Sequence, residues 1–164
     1  MDQEVASSRE GGIAATVLRQ YWLGVLARAS VVELEAAWAA LADKPRYRTL
    51  RQSETGLVMV RGRIAGTGQP FNLGEMTMTR AAVQLLDDAG AVSHTGFGHV
   101  AGRSRRQAEL VALFDALLQD PARHDAIAET VVAPIAARRR AAKAAQAAKV
   151  GATKVDFFTM VRGE

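Results

Sequence analysis

From Ile13 to Ala29 apolar residues recur at helical spacing, and Leu18, Trp22, Val25, Leu26 and Ala29 fall on one face of an amphipathic helix. The polar, Gly-ended stretch before it, residues 1–12, has no period and reads as a frayed, disordered terminus. A second helix follows at once. Ser30-Val-Val-Glu33 has the spacing of a capping box, in which the serine hydroxyl and the glutamate carboxylate each satisfy an orphan backbone N–H. Leu34, Trp38 and Leu41 then share a face, and Asp43-Lys-Pro45 ends the helix.

The period then changes from helical to alternating. Tyr47 to Gln52 reads as a short strand, Ser53-Glu-Thr-Gly56 as a turn, and Leu57 to Ala65 as a strand with Val58, Val60 and Ile64 on one face and Arg61 and Arg63 on the other. This predicts a hairpin with one buried face. After the turn Gly66-Thr-Gly68-Gln-Pro70, Phe71 to Leu86 reads as a longer strand bending at Gly74, and Asp87-Asp-Ala-Gly90 reverses the chain into Ala91 to Val100. Strands joined by short turns, with no helical crossover, predict an antiparallel meander of about four strands.

Helical spacing returns after Gly102. Ser104 is placed to N-cap a helix whose stripe is Leu110, Val111, Phe114, Leu117 and Leu118, opposite Arg105, Glu109 and Gln119. Asp120-Pro121 breaks it, and an Ala-rich helix runs from about Ala122 to Lys149 until Gly151. The last segment, 151–164, holds Phe157, Phe158, Met160 and Val161 where chains usually fray, so it is expected to dock on something. The fold class is α+β: a helix pair, a central antiparallel sheet, C-terminal helices and an extended apolar tail, with one domain over 13–150.

Composition narrows the function classes. The chain has 164 residues, enough to bury a core without staples, and no cysteine, which removes disulfide scaffolds, thiolate zinc sites, iron–sulfur clusters and thiol nucleophiles. No signal peptide or bilayer-length apolar run is visible, so a cytoplasmic protein without membrane contact is expected. The formal net charge of +4 is uneven: from Arg138 to Glu164 seven cations face two carboxylates, for +5, leaving −1 on the remainder. A localised basic stripe binds anions, whereas a diffuse excess mainly aids solubility.

Most chemistry-bearing residues have an ordinary structural reading. Gly66-Thr-Gly68 joins strand to strand, where a phosphate loop would open a helix, so it reads as a hairpin turn. His94 and His99 are an odd number of residues apart on one strand and should face opposite ways, and His124 lies beyond a helix; no metal site is expected. Asp87 and Asp88 are turn residues. Arg61, Arg63, Arg80 and Arg103, with Arg105 and Arg106, would suit an anion such as a triphosphate if they converged, because guanidinium forks match phosphate oxygens, yet no nucleophile with an adjacent base stands among them. No catalytic residue is assigned. The basic run Arg138-Arg-Arg140 to Lys149 could follow a nucleic-acid backbone, which is the alternative function, but a single-strand reader would add stacking aromatics there. Solvated helix or protein contact is the preferred reading.

One resemblance goes beyond these patterns. Glu54-Thr-Gly-Leu-Val58, Gly66-Thr-Gly68 followed by Phe71, Gly74-Glu75, Thr79-Arg-Ala-Ala-Val83, Gly102-Arg103 with Ala108-Glu109, and above all Val155-Asp-Phe-Phe-Thr-Met-Val-Arg-Gly163 occur in this order, and the span Tyr21 to Gly163 resembles the PhnG family, G subunits of the bacterial carbon–phosphorus lyase system. The resemblance implies a noncatalytic subunit of a core complex with H, I and J subunits. With the I, H and L subunits such proteins support replacement of the adenine of ATP by a phosphonate at the ribose anomeric carbon. It implies ATP as substrate of the complex, no cofactor on this chain, and a subunit interface at Asp156, Phe157, Phe158, Met160, Val161 and Arg162. The family pattern GRDRRHAE is met here by Gly102-Arg-Ser104-Arg-Arg-Gln107-Ala-Glu109, which carries no acid/base role to Ser104 or Gln107 and leaves Arg103 and Glu109 as interface or anion contacts. An apolar tail also predicts self-association of the isolated chain.

Overall fold

The structure, a computed structural model, describes the backbone of residues 2–153 and the side chains of residues 12–153. It is α+β. Helices α1 (Asp2–Leu26) and α2 (Val31–Ala40) precede strands β1 (Arg46–Arg63), β2 (Pro70–Leu86) and β3 (Val92–Ala101); α3 (Arg105–Leu118), α4 (Pro121–Ile127) and α5 (Ala133–Ala152) follow. The strands form one antiparallel sheet in the order β1-β2-β3.

Local signals set most helix ends. The Ser30 hydroxyl accepts from the Glu33 N–H at 3.2 Å while the Glu33 carboxylate accepts from the Ser30 N–H at 2.8 Å, which starts α2. Ser104 caps α3, and Asp120 with Pro121 at the first turn starts α4. The helical backbone of α1 extends well upstream of Ile13, where its apolar period begins.

Three expectations are corrected. The meander has three strands rather than about four, because Ser53-Glu-Thr-Gly56 is not a turn. Glu54, Thr55 and Gly56 pair with Arg80, Thr79 and Met78, and the turn-prone stretch is absorbed as register shifts between Thr49 and Glu54 within one long strand. The turn read at Gly66-Thr-Gly68-Gln-Pro70 does join β1 to β2, beginning two residues earlier at Ile64, with Ala65 and Gly66 both at positive φ and the Gly68 N–H closing on the Ile64 carbonyl at 2.8 Å. The last helix is not continuous either: a π-helical turn, Ala128–Val132, separates α4 from α5 just ahead of Pro134, whose missing N–H and bulky ring do not fit an unbroken α-ladder. And the hairpin lacks a buried face beyond β3, as described below.

The core is built around α3. Residues 110–118 are buried on every side, because the sheet covers one face and α1, α2, α4 and the π-turn cover the other. Leu110, Leu113, Phe114 and Leu117 are among the largest fully buried side chains, and each contributes about 1.5–3 kcal/mol by burial. Trp22, Val25, Leu26 and Leu34 close the helical side as their spacing predicts, whereas Leu18 stays exposed. Against the sheet the packing is closer still. A Cβ at Gly96 would collide with the Ala112 carbonyl and one at Gly98 with the Ala108 carbonyl, so α3 rests its backbone directly on β3.

Candidate functional site

One buried charge ties these layers together. Asp115 is fully buried on α3 and accepts from Arg19 Nε at 3.1 Å and Nη2 at 2.6 Å, from Trp22 Nε1 at 2.9 Å and from the Phe97 backbone N–H at 2.9 Å. Gln119 reaches the same edge and donates to the Thr95 carbonyl at 2.9 Å. Residues 95 and 97 lie on an edge strand, so these side chains satisfy backbone groups that would otherwise invite another strand. Arg19 then stacks over the Phe97 ring at 5.8 Å. Nothing in the spacing of residues flagged Asp115; its only signal was a lone carboxylate inside the apolar run 110–118.

Glu109 is also engaged within the chain: it accepts from Arg106 Nη1 at 3.1 Å and from the Tyr47 hydroxyl at 3.3 Å, while Arg106 reaches Glu35 at 3.4 Å. Burial, and then the Glu109 carboxylate, raise the Tyr47 phenol above its ordinary value. Gln107 donates to the carbonyls of Ala27 and Ala29 at 3.3 and 2.8 Å, tying α3 to the chain at the end of α1.

The histidines divide between surfaces. His94 and His124 line one cavity of about 690 Å³ with Arg19, Trp22 and Asp125, whereas His99 borders a separate groove with Glu54 and Arg80. His124 Nδ1 lies 2.7 Å from the Leu118 carbonyl and its ring meets Trp22 edge-on, so it is spent on packing. Among the described residues no group of three or more His, Cys, Asp or Glu is placed to hold a metal ion.

The four candidate arginines do not converge within the chain. Arg80 pairs with Glu54 at 2.8 Å, and Glu54 is also held by Arg51 at 2.8 Å. These two guanidinium contacts lower the Glu54 carboxyl below its ordinary range. Arg61 and Arg63 lie near the far end of the β1–β2 hairpin, opposite Asn72 and Pro70, and the Arg63 side chain donates to the Gly68 carbonyl at 3.2 Å. Arg103 is exposed on the turn between β3 and α3. Of the basic run, Arg138 pairs with Glu33 at 3.0 Å; Arg139, Arg140 and Lys143 line a groove of about 800 Å³ with Arg28 and Tyr21. The tail residues Asp156, Phe157, Phe158, Met160, Val161 and Arg162 lie outside the described residues.

The model of the family described as "Phosphonate metabolism protein PhnG" matches residues 17–163. The chain belongs to the PhnG family. A curated relative from Rhizobium meliloti (strain 1021), alpha-D-ribose 1-methylphosphonate 5-triphosphate synthase subunit PhnG, is 47% identical over 158 residues, which is 96% of this chain and 96% of the relative. The match to PhnG takes in the whole hairpin, the β3–α3 turn, the buried Asp115 and the basic helix. The family resemblance read from the sequence is thereby upheld, and the role in phosphonate metabolism with it. No helix among the described residues is long and apolar enough to cross a membrane.

Proposed function

We propose that this chain is a noncatalytic, required subunit of a ribose 1-methylphosphonate 5-triphosphate synthase, working with H, I and J subunits in the cytoplasm. The observation that carries the reading is the near-full-length similarity to the Rhizobium meliloti subunit. In the reaction a phosphonate oxygen attacks the ribose anomeric carbon of ATP, the glycosidic bond to adenine breaks, and adenine leaves with the bonding electron pair. ATP is a substrate of the complex, and the chain itself holds no cofactor.

The internal use of its functional groups supports the noncatalytic part. Asp115, Glu109 and His124 all have defined partners within the chain, and all three are committed to holding elements together. The apolar segment 155–163 is assigned to a partner interface, and Arg61, Arg63, Arg80 and Arg103, the candidate triphosphate contacts, do not converge within the chain and are not assigned to substrate. The test is a drop-out: the other synthase subunits are assayed for adenine release from ATP and methylphosphonate with and without this chain. Turnover should fall at least about a hundredfold without it, a loss of the size that a mispositioned site produces. Undiminished turnover sinks the reading.

A further inference from the structure

The β1–β2 hairpin runs well past the third strand. β3 pairs with β2 only from Met78 to Leu86, and the Gly102 N–H donates to the Thr77 carbonyl at 2.9 Å where the helical layer stops. Buried Thr79 pins this foot, donating to the Gly102 carbonyl at 2.7 Å and meeting the Thr55 hydroxyl at 2.9 Å. Beyond it, residues 55–77 form a two-stranded arm with neither face covered. Two strands alone are marginal in water, yet this arm carries Leu57, Met59, Ile64, Phe71 and Leu73 exposed.

Its two faces differ. Register places Val58 and Val60 on the face shared with Arg80; Leu57 and Met59, opposite Thr77 and Glu75, continue the face that α3 covers further down. Arg61 and Arg63 lie on that same side nearer the tip, while Arg103 and Arg105 flank its foot. None of these four arginines is ion-paired among the described residues, and Glu75 is the one carboxylate on this face of the arm. On this face Leu57 and Met59 are bracketed by cations, whereas Phe71 and Leu73, which crowd Gly62, belong to the Val58 face.

We infer that the helix-side face of this arm is the docking surface for another protein subunit of the synthase, one presenting apolar side chains edged by carboxylates. The inference rests on the subunit reading above. Charge selects the occupant: a second copy of the same face would set Arg61 and Arg63 against their own kind, and like charges brought together at an interface are repulsive. A small anion would leave Leu57 and Met59 with nothing to cover them. A carboxylate-edged apolar surface answers both, burying these two side chains and pairing the arginines.

Full-length chain is co-expressed with the remaining synthase subunits and assembly is followed by co-purification and size-exclusion chromatography. Leu57→Asp with Met59→Asp, and separately Arg61→Glu with Arg63→Glu, act on exposed positions, and circular dichroism and melting of each isolated variant verify the fold. Wild type should assemble and both variants should lose on the order of tenfold or more in affinity, while Val32→Asp, an apolar residue 70% exposed on α2, assembles normally. Amide exchange across residues 55–63 should slow on assembly. Arm variants that assemble like wild type overturn the inference and leave the subunit reading intact. Normal assembly with reduced turnover assigns the arginines to substrate and also overturns it, as does an isolated chain that dimerises through the arm. Wild type that fails to assemble removes the subunit reading and the inference together.

Discussion

Asp115 concentrates more of the fold in one side chain than any other described residue, since donors from α1, α3 and β3 all end on its two oxygens. Breaking a buried ion pair by removing one partner leaves the others desolvated and unsatisfied. Asp115→Ala is therefore expected to cost about 3–5 kcal/mol in urea unfolding. Asp115→Asn, which loses the charge but keeps an acceptor, should cost less; equal losses would mean that the charge carries the whole effect and the retained acceptor none. The residue was invisible to pattern reading because a lone carboxylate at a core position breaks the period, and only the approach of Arg19 from 96 positions away explains why it is tolerated. Ser30 and Ser104 are the opposite case. Their caps were legible because donor and acceptor are three residues apart.

At the scale of elements, β3 and α3 meet through absent side chains. Adding a methyl at Gly98 puts it into the Ala108 carbonyl, a backbone atom that cannot swing aside, so Gly98→Ala should destabilise by at least about 1–3 kcal/mol. Gly56, with nothing within 4 Å of its would-be Cβ, is the control. Gly56→Ala should be neutral or stabilising by up to about 1 kcal/mol through the unfolded chain. Thermal melting of both variants checks the contrast, and equal effects would remove the close-packing argument. The strands themselves were readable from alternation, but Ser53-Glu-Thr-Gly56 was not. Turn-prone composition loses to pairing when a partner strand offers a hydrogen bond at every step, and bulges take up the mismatch. The π-turn is the helical counterpart, its cause being Pro134 in an otherwise regular apolar spacing.

At the scale of the whole molecule, acid sensitivity follows from carboxylates that bridge elements. Backbone and side-chain hydrogen bonds from Ser30, with Arg138 and Arg139 adding smaller contributions, hold Glu33 below its ordinary value of 4.5, and Arg51 and Arg80 do the same for Glu54. A depressed carboxyl contributes stability that is complete above its unfolded value and is lost as pH falls through the folded one. Stability should thus be level from neutral pH to about 5 and decline below about 4.5. In Glu33→Gln with Glu54→Gln, which keeps an acceptor at the cap but cannot titrate, urea midpoints compared at about pH 7 and about pH 3 should fall less than in wild type. An unchanged acid slope would assign the decline to other groups. By itself the sequence determined what local physics decides: the α+β class, the caps, the breaks at Asp120-Pro121, the uneven charge and, through its motif strings, the family. Only the tertiary structure decided the strand count, the burial of α3 on every side, the commitment of Asp115 and Glu109 to the fold, and the arm left bare beyond β3. The physical reason is range: a cap or a turn residue acts within a few positions, whereas burial and strand pairing depend on which distant segment arrives to cover a face, and no periodicity along the chain records that.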